Sequence, residues 1–179
     1  MNLRLDQRMA QQYENNSKKM QKVTQSWITQ NLPCMYCGKS NLIKSETNRQ
    51  RAEFTCPSCS ETYVLKYKNS PMGDKIPIGA YQPMLQSIES FNNPNFLFLQ
   101  YDREELRIQN LFLIPRYFFC TDTIERCQPL SNPTRRQGWV GCNILLSRIP
   151  PEGYVYVVEN GTEYMMQEVL QNRKRTNFM

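Results

Sequence analysis

Four of the seven cysteines carry the clearest chemistry in this sequence. Cys34-x2-Cys37 and Cys56-x2-Cys59 form two CxxC pairs with 18 residues between them. A CxxC turn presents two thiolates to one side, and two such turns supply the four sulfur ligands of a tetrahedral zinc ion. Turn formers accompany both pairs, since Gly38 follows Cys37 and Pro57 follows Cys56. A thioredoxin-type redox motif needs a single CxxC at the start of a helix, so the doubled pattern favours metal over redox chemistry. With all four positions filled by protein, the zinc is structural and leaves no open site for water. Cys120, Cys127 and Cys142 lie among aromatic and aliphatic residues and read as small buried hydrophobes. An odd number of cysteines fits poorly with a secreted disulfide framework and points to a reducing cytoplasm.

The elements that must position these thiols follow from periodicity. Met9, Tyr13, Met20, Val23 and Trp27 fall at helical spacings, so residues 3–30 read as helical, with a break at Asn15-Asn16-Ser17. Pro33 ends the helix and the first CxxC begins. Residues 51–56 and 61–67 read as strands around the second CxxC, and 68–77 as a loop containing Pro71, Gly73 and Pro77. A helix over 79–91 follows, with Met84, Leu85 and Ile88 on one face. Phe96-Leu97-Phe98-Leu99 is a short apolar strand of the kind buried on both faces. Further strands are expected at 106–114, 139–146 and 154–158, a tight turn at Asn160-Gly161, and a polar helix from 163. The chain is therefore α/β, a mixed sheet flanked by helices with an inserted zinc knuckle. No stretch reaches the roughly 20 apolar residues a membrane span needs, and residues 1–19 contain no apolar signal region. The complete absence of histidine removes Ser-His-Asp and Cys-His catalysis and histidine-ligated zinc together.

The strands over 51–56 and 61–67 bear on a second chemistry. Nucleases of the restriction-endonuclease fold keep an acidic residue on one strand and a (D/E)-x-K tripeptide on the next. Two carboxylates hold a hard divalent cation, and the lysine steadies the attacking water and the developing phosphorane charge. Here the corresponding residues are Glu53 and Val64-Leu65-Lys66. The chain resembles the DpnI-like, methyl-directed restriction endonucleases in their catalytic domain, over roughly residues 10–160. The resemblance rests on the CxxCG knuckle, Ala52-Glu53-Phe54, Cys56-x-x-Cys59-Ser60-Glu61 and Leu65-Lys66. It extends through Gly79-Ala80-Tyr81, Asn92-Asn93-Pro94-Asn95-Phe96 and the run from Arg135-Arg136 to Gly138-Trp139-x-Gly141-Cys142-Asn143-Ile144. It implies a restriction-endonuclease-like mixed sheet and structural Zn2+ on the four cysteines. It also implies catalytic positions at Glu53 and Lys66, and Mg2+ only if the nuclease site is active.

Two departures matter. The family's aspartate is Glu53, and its glutamate is Val64, which cannot ligate a metal. Glu61, Asp74 and Glu89 are the other acids considered as replacements; Glu61 has the wrong strand parity. Residues 1–179 read as one domain, with N-terminal helices over 1–32, the zinc insert over 33–60 and the sheet-and-helix remainder after it. The family's DNA-reading winged helix is not expected within these residues.

Lys and Arg outnumber Asp and Glu 22 to 16, a net charge of +6 that suits a polyanion. Arg135 and Arg136 are candidates for phosphate or guanine edges. Trp139 is a candidate for stacking on a base, its alternative being core at the start of a strand. Three functions fit this pattern. The first is a protein that binds double-stranded DNA, with N6-adenine-methylated DNA a candidate, around a degraded metal centre. The second is a Mg2+-dependent endonuclease cutting methylated GATC sites with a displaced acid. The third is an interaction subunit that has lost DNA function. Val64 favours the first over the second, and the basic residues favour it over the third. Expected partners are double-stranded DNA, with a nucleoid-associated location, and a subunit supplying a DNA-reading domain.

Overall fold

The computed structural model describes residues 1–6, 8, 16–45, 52–90, 93–131 and 137–176. Its centre is a seven-stranded mixed sheet. The strands are β1 (Ile43–Lys44), β2 (Phe54–Thr55), β3 (Thr62–Lys68), β5 (Asn95–Asp102), β6 (Arg107–Ile114), β9 (Val155–Glu159) and β10 (Thr162–Glu163), in the order β1-β2-β3-β5-β6-β9-β10. Among the described strands only β3 and β5 pair in parallel, Val64 with Phe96 and Lys66 with Phe98. The crossover between these two strands consists of β4 (Lys75–Ala80) and helix α2 (Tyr81–Glu89). β4 pairs with β8 (Gly141–Leu145), and β8 with β7 (Ile124–Arg126), giving a second, antiparallel sheet of three strands.

Strand alternation divides the interior into two cores. Leu97 and Leu99 point to one face of the large sheet, where Val23, Trp27 and Ile28 of helix α1 (Asn16–Asn31) cover them together with Phe54, Tyr63 and Leu65. Phe96 and Phe98 point to the other face and meet Ile76, Ile124 and Ile144 of the small sheet. β5 is thus buried on both sides, which is why its sequence is a continuous apolar run instead of an alternation. Helix α3 (Met166–Arg175) inserts Val169 into the first core. No helix among the described residues is long and apolar enough to cross a membrane.

Four expectations need correction. Residues 3–5 are extended, not helical: the Ile108 amide donates to the Leu3 carbonyl and the Leu5 amide to the Leu106 carbonyl, and Leu3 and Leu5 enter the first core. Met9, Tyr13 and Asn15 lie outside the described residues. The 68–77 segment is only partly loop, because β4 begins at Lys75 and tolerates Pro77 where its pairing with β8 shifts register. The strand expected over 139–146 starts at Gly141. Of the three remaining cysteines, Cys142 is buried, but Cys127 is half-buried and Cys120 exposed.

Candidate functional site

The two CxxC segments fold as matching turns. The Gly38 amide donates to the Cys34 carbonyl at 2.8 Å, and the Ser60 amide to the Cys56 carbonyl at 2.9 Å. In each turn the residue after the second cysteine has positive φ: +66° at Gly38 and +61° at Ser60. All four sulfurs lie within 4.8 Å of one another, with Cys34–Cys59 and Cys37–Cys56 each at 3.6 Å. Four thiolates about 2.3 Å from a tetrahedral zinc lie ~3.8 Å apart, so the cluster fits that ion. The Tyr36 amide points at Cys34 Sγ and the Ser58 amide at Cys56 Sγ, both at 3.4 Å. The fully buried Tyr63 hydroxyl stands 3.1 Å from Cys34 Sγ and can donate to it once it is a thiolate. Burial pushes the Cys34 and Cys59 thiols up, so without a metal they stay protonated at neutral pH; a bound cation reverses that preference.

The knuckle is tied to the rest of the chain. A Cβ on Gly38 would lie 2.8 Å from Leu170 of α3, so only glycine allows this approach. The Arg173 guanidinium sits 4.1 Å above the Tyr36 ring and donates to the Tyr36 carbonyl at 3.3 Å. The Tyr36 hydroxyl donates to Asn95 Oδ1 at the start of β5.

Beside the knuckle, β3 presents Val64 and Lys66 on the same face, two residues apart. Val64 packs into the second core, whereas Tyr63 and Leu65 face the first. Among the described residues, Lys66 Nζ makes a single long hydrogen bond, 3.5 Å to the Ile78 carbonyl of β4. Burial lowers the Lys66 ammonium from its ordinary value, and the charge of Glu53 opposes that shift. Glu53 sits at the bend before β2, and its carboxylate accepts from Gln25 Nε2 of α1 at 3.2 Å and from the Leu65 amide. Burial nevertheless raises its carboxyl. Glu53 and Lys66 thus feel each other's charge, and Val64, two residues before Lys66 on the same face of β3, is a hydrocarbon.

Glu61 and Asp74 are engaged elsewhere. Glu61 forms an ion pair with Arg116 at 2.5 Å and accepts from Asn95 Nδ2 at 2.9 Å. Asp74 accepts from the Ser147 amide at 2.7 Å, and Glu89 is the last residue of α2. Among the described residues, the only group of three or more metal-ligating side chains is the four cysteines. The residues around Lys66 do not fit a magnesium centre built on two carboxylates.

Trp139 is 40% exposed and precedes β8, so it is not a core residue. Its indole edge lies over Gly141, where a Cβ would come within 2.7 Å of the ring. Gly79, next to the Ile78 carbonyl that receives Lys66, borders the same contact. Arg126 lies 5.9 Å above the Tyr81 ring at the start of α2. Arg135 and Arg136 lie outside the described residues. Gln25 and Tyr63 were not singled out by sequence reasoning, because neither forms part of a motif; only the tertiary contact between α1 and the bend before β2 reveals Gln25.

A mixed sheet with one parallel pair, a lysine-bearing inner strand and a four-thiolate knuckle defines a restriction-endonuclease-like protein. A model of the DpnI family, described as the Dam-replacing family, matches residues 1–179, and the chain belongs to that family.

Proposed function

We propose that this protein binds double-stranded DNA, including N6-adenine-methylated DNA, with a restriction-endonuclease-like fold whose metal centre is degraded. The observation that carries this reading is Val64. It stands on the face of β3 that bears Lys66, and its side chain is packed among hydrocarbons. Hard divalent cations require oxygen ligands, and Glu53 alone is a poor cage for one. Members of a catalytic unit act together, so losing one ligand costs orders of magnitude in rate.

DNA binding draws on different features. The charge of +6 favours a polyanion. Exposed Trp139 and the Arg126–Tyr81 pair suit bases and phosphates, and Arg135 and Arg136 lie close to Trp139 in sequence. Zinc on the four cysteines fixes the knuckle against β3 and α3. A subunit carrying a DNA-reading domain would complete sequence specificity.

Fluorescence anisotropy on methylated and unmethylated duplexes across a salt series tests this reading. Affinity should fall log-linearly with salt, with a slope reporting several phosphate contacts. Absence of salt-dependent affinity for either duplex refutes it.

A further inference from the structure

A cavity of about 370 Å³ opens between the large sheet and the loop that leads into β4. It is lined by Phe112 of β6, Tyr154 just before β9 and Tyr156 within β9. The Phe112 ring lies 5.4 Å from each tyrosine ring, and the two tyrosine rings lie 6.3 Å apart. The Tyr154 hydroxyl donates to the Leu146 carbonyl at 2.7 Å, which fixes this aromatic group in place. Both tyrosines are only half-buried, so part of each remains accessible.

The charge of the lining runs against that of the chain. Among the described residues it contains two carboxylates, Asp74 and Glu159, and no lysine or arginine, although the net charge is +6. The Ser147 amide donates to Asp74 Oδ1 at 2.7 Å, and the Tyr164 hydroxyl to Glu159 Oε2 at 2.5 Å. Hydrogen bonds from Ser147 hold the Asp74 carboxyl below its ordinary value, so it is ionised at neutral pH. The cations nearest Asp74 are engaged with other groups: Lys75 pairs with Glu125 at 2.5 Å, and Arg148 donates to the Asp122 carbonyl at 2.7 Å. Neither Asp74 nor Glu159 forms an ion pair among the described residues. Burial raises both phenols, and Asp74 adds to this at Tyr154 as Glu159 does at Tyr156, so both negative charges are felt at the rings.

From these features we infer that the cavity binds a small methylated ammonium cation, its alkyl groups on Phe112, Tyr154 and Tyr156 and its charge balanced by Asp74 and Glu159. Aromatic rings attract cations through the negative faces of their π-systems, and a quaternary ammonium, being weakly hydrated, loses least on leaving water. The volume falls in the ~300–1,000 Å³ range of small-molecule sites. A neutral polyol would need free polar edges, but the Asn110 side chain donates to Gln100 Oε1 at 2.8 Å and accepts from the Asn160 amide at 2.9 Å. Two carboxylates disfavour phosphate here, so the site does not rest on the DNA-binding reading.

The test titrates the full chain with choline and with 3,3-dimethyl-1-butanol, a neutral molecule of the same shape, by calorimetry. Choline should bind roughly three- to thirtyfold more tightly than the alcohol, the range of a cation–π contact. Its N-methyl proton resonance should move upfield on binding, as expected for methyl groups held against aromatic rings. Tyr156→Leu should weaken choline binding and reduce that shift. Asp74→Asn combined with Glu159→Gln should bring choline down to the affinity of the alcohol while leaving the alcohol unchanged. Melting transitions check that each variant folds. Equal binding of choline and the alcohol by the native protein overturns the inference, as does absence of choline binding at millimolar concentration. Choline affinity that survives the loss of both carboxylates in the folded double variant also overturns it.

Discussion

Removing zinc should dismantle more than the knuckle. Cys34, Met35, Cys56, Phe54 and Tyr63 are all fully buried in the first core. Leu170 and Arg173 of α3 rest on Gly38 and Tyr36. Loss of the metal leaves four thiols with sulfurs 3.6 Å apart in pairs, two of them pushed toward protonation by burial. Structural zinc in small domains contributes ~10–16 kcal/mol of apparent binding free energy at neutral pH. That matches or exceeds the ~5–15 kcal/mol net stability of a typical domain. A chelator should therefore lower the melting temperature by tens of degrees or abolish the cooperative transition, since ~1 kcal/mol corresponds to roughly 2–8 °C. Cys34→Ser should act in the same direction. Native mass spectrometry should find one zinc per chain before chelation and none after. A melting curve unmoved by complete metal removal, or protein purified with well under about one zinc per chain, refutes the argument.

Other outcomes follow from single residues. Burial raises the Glu53 carboxyl, so its contribution to stability is complete below the ordinary carboxylate pKa of about 4.3 and is lost as pH rises through the elevated value. Denaturation of Glu53→Gln beside the native protein should show the variant gaining relative stability from about pH 4 upward through the weakly acidic range; a constant difference or the opposite trend contradicts the assignment. Gly141→Ala should displace the Trp139 indole, because a Cβ there meets the ring at 2.7 Å. Tryptophan emission should shift and duplex affinity fall. Unchanged emission would show that Trp139 does not rest on Gly141, Trp27 being the sole other tryptophan and buried.

The four-cysteine cluster was legible in the sequence because CxxC turns are local: four thiols at fixed spacing need only one loop closure to meet. β5 was legible for a related reason, since a run buried on both faces leaves no alternation. What escaped depended on distant pairing. β4 carries Pro77 and Gly79 and reads as loop until β8, more than 60 residues later, supplies its hydrogen bonds. Leu3 and Leu5 have strand spacing, but the helical periodicity of Met9 to Trp27 obscured it; their partners are Ile108 of β6 and Leu106 just before it. Glu53 and Lys66 were singled out from strand pattern and family resemblance, whereas Gln25, which holds the Glu53 carboxylate from α1, was not. Trp139 was read as core or base contact from its neighbours alone, and its exposure is set by the close approach to Gly141.

The central proposal is that a hydrocarbon at position 64 leaves Glu53 and Lys66 without a second carboxylate. Incubation of Dam-methylated plasmid with the native protein and with Val64→Glu, in Mg2+ or Mn2+, tests it most directly. The account predicts intact plasmid with the native protein and nicking or cleavage with Val64→Glu. Efficient cleavage by the native protein that Lys66→Ala abolishes would contradict it.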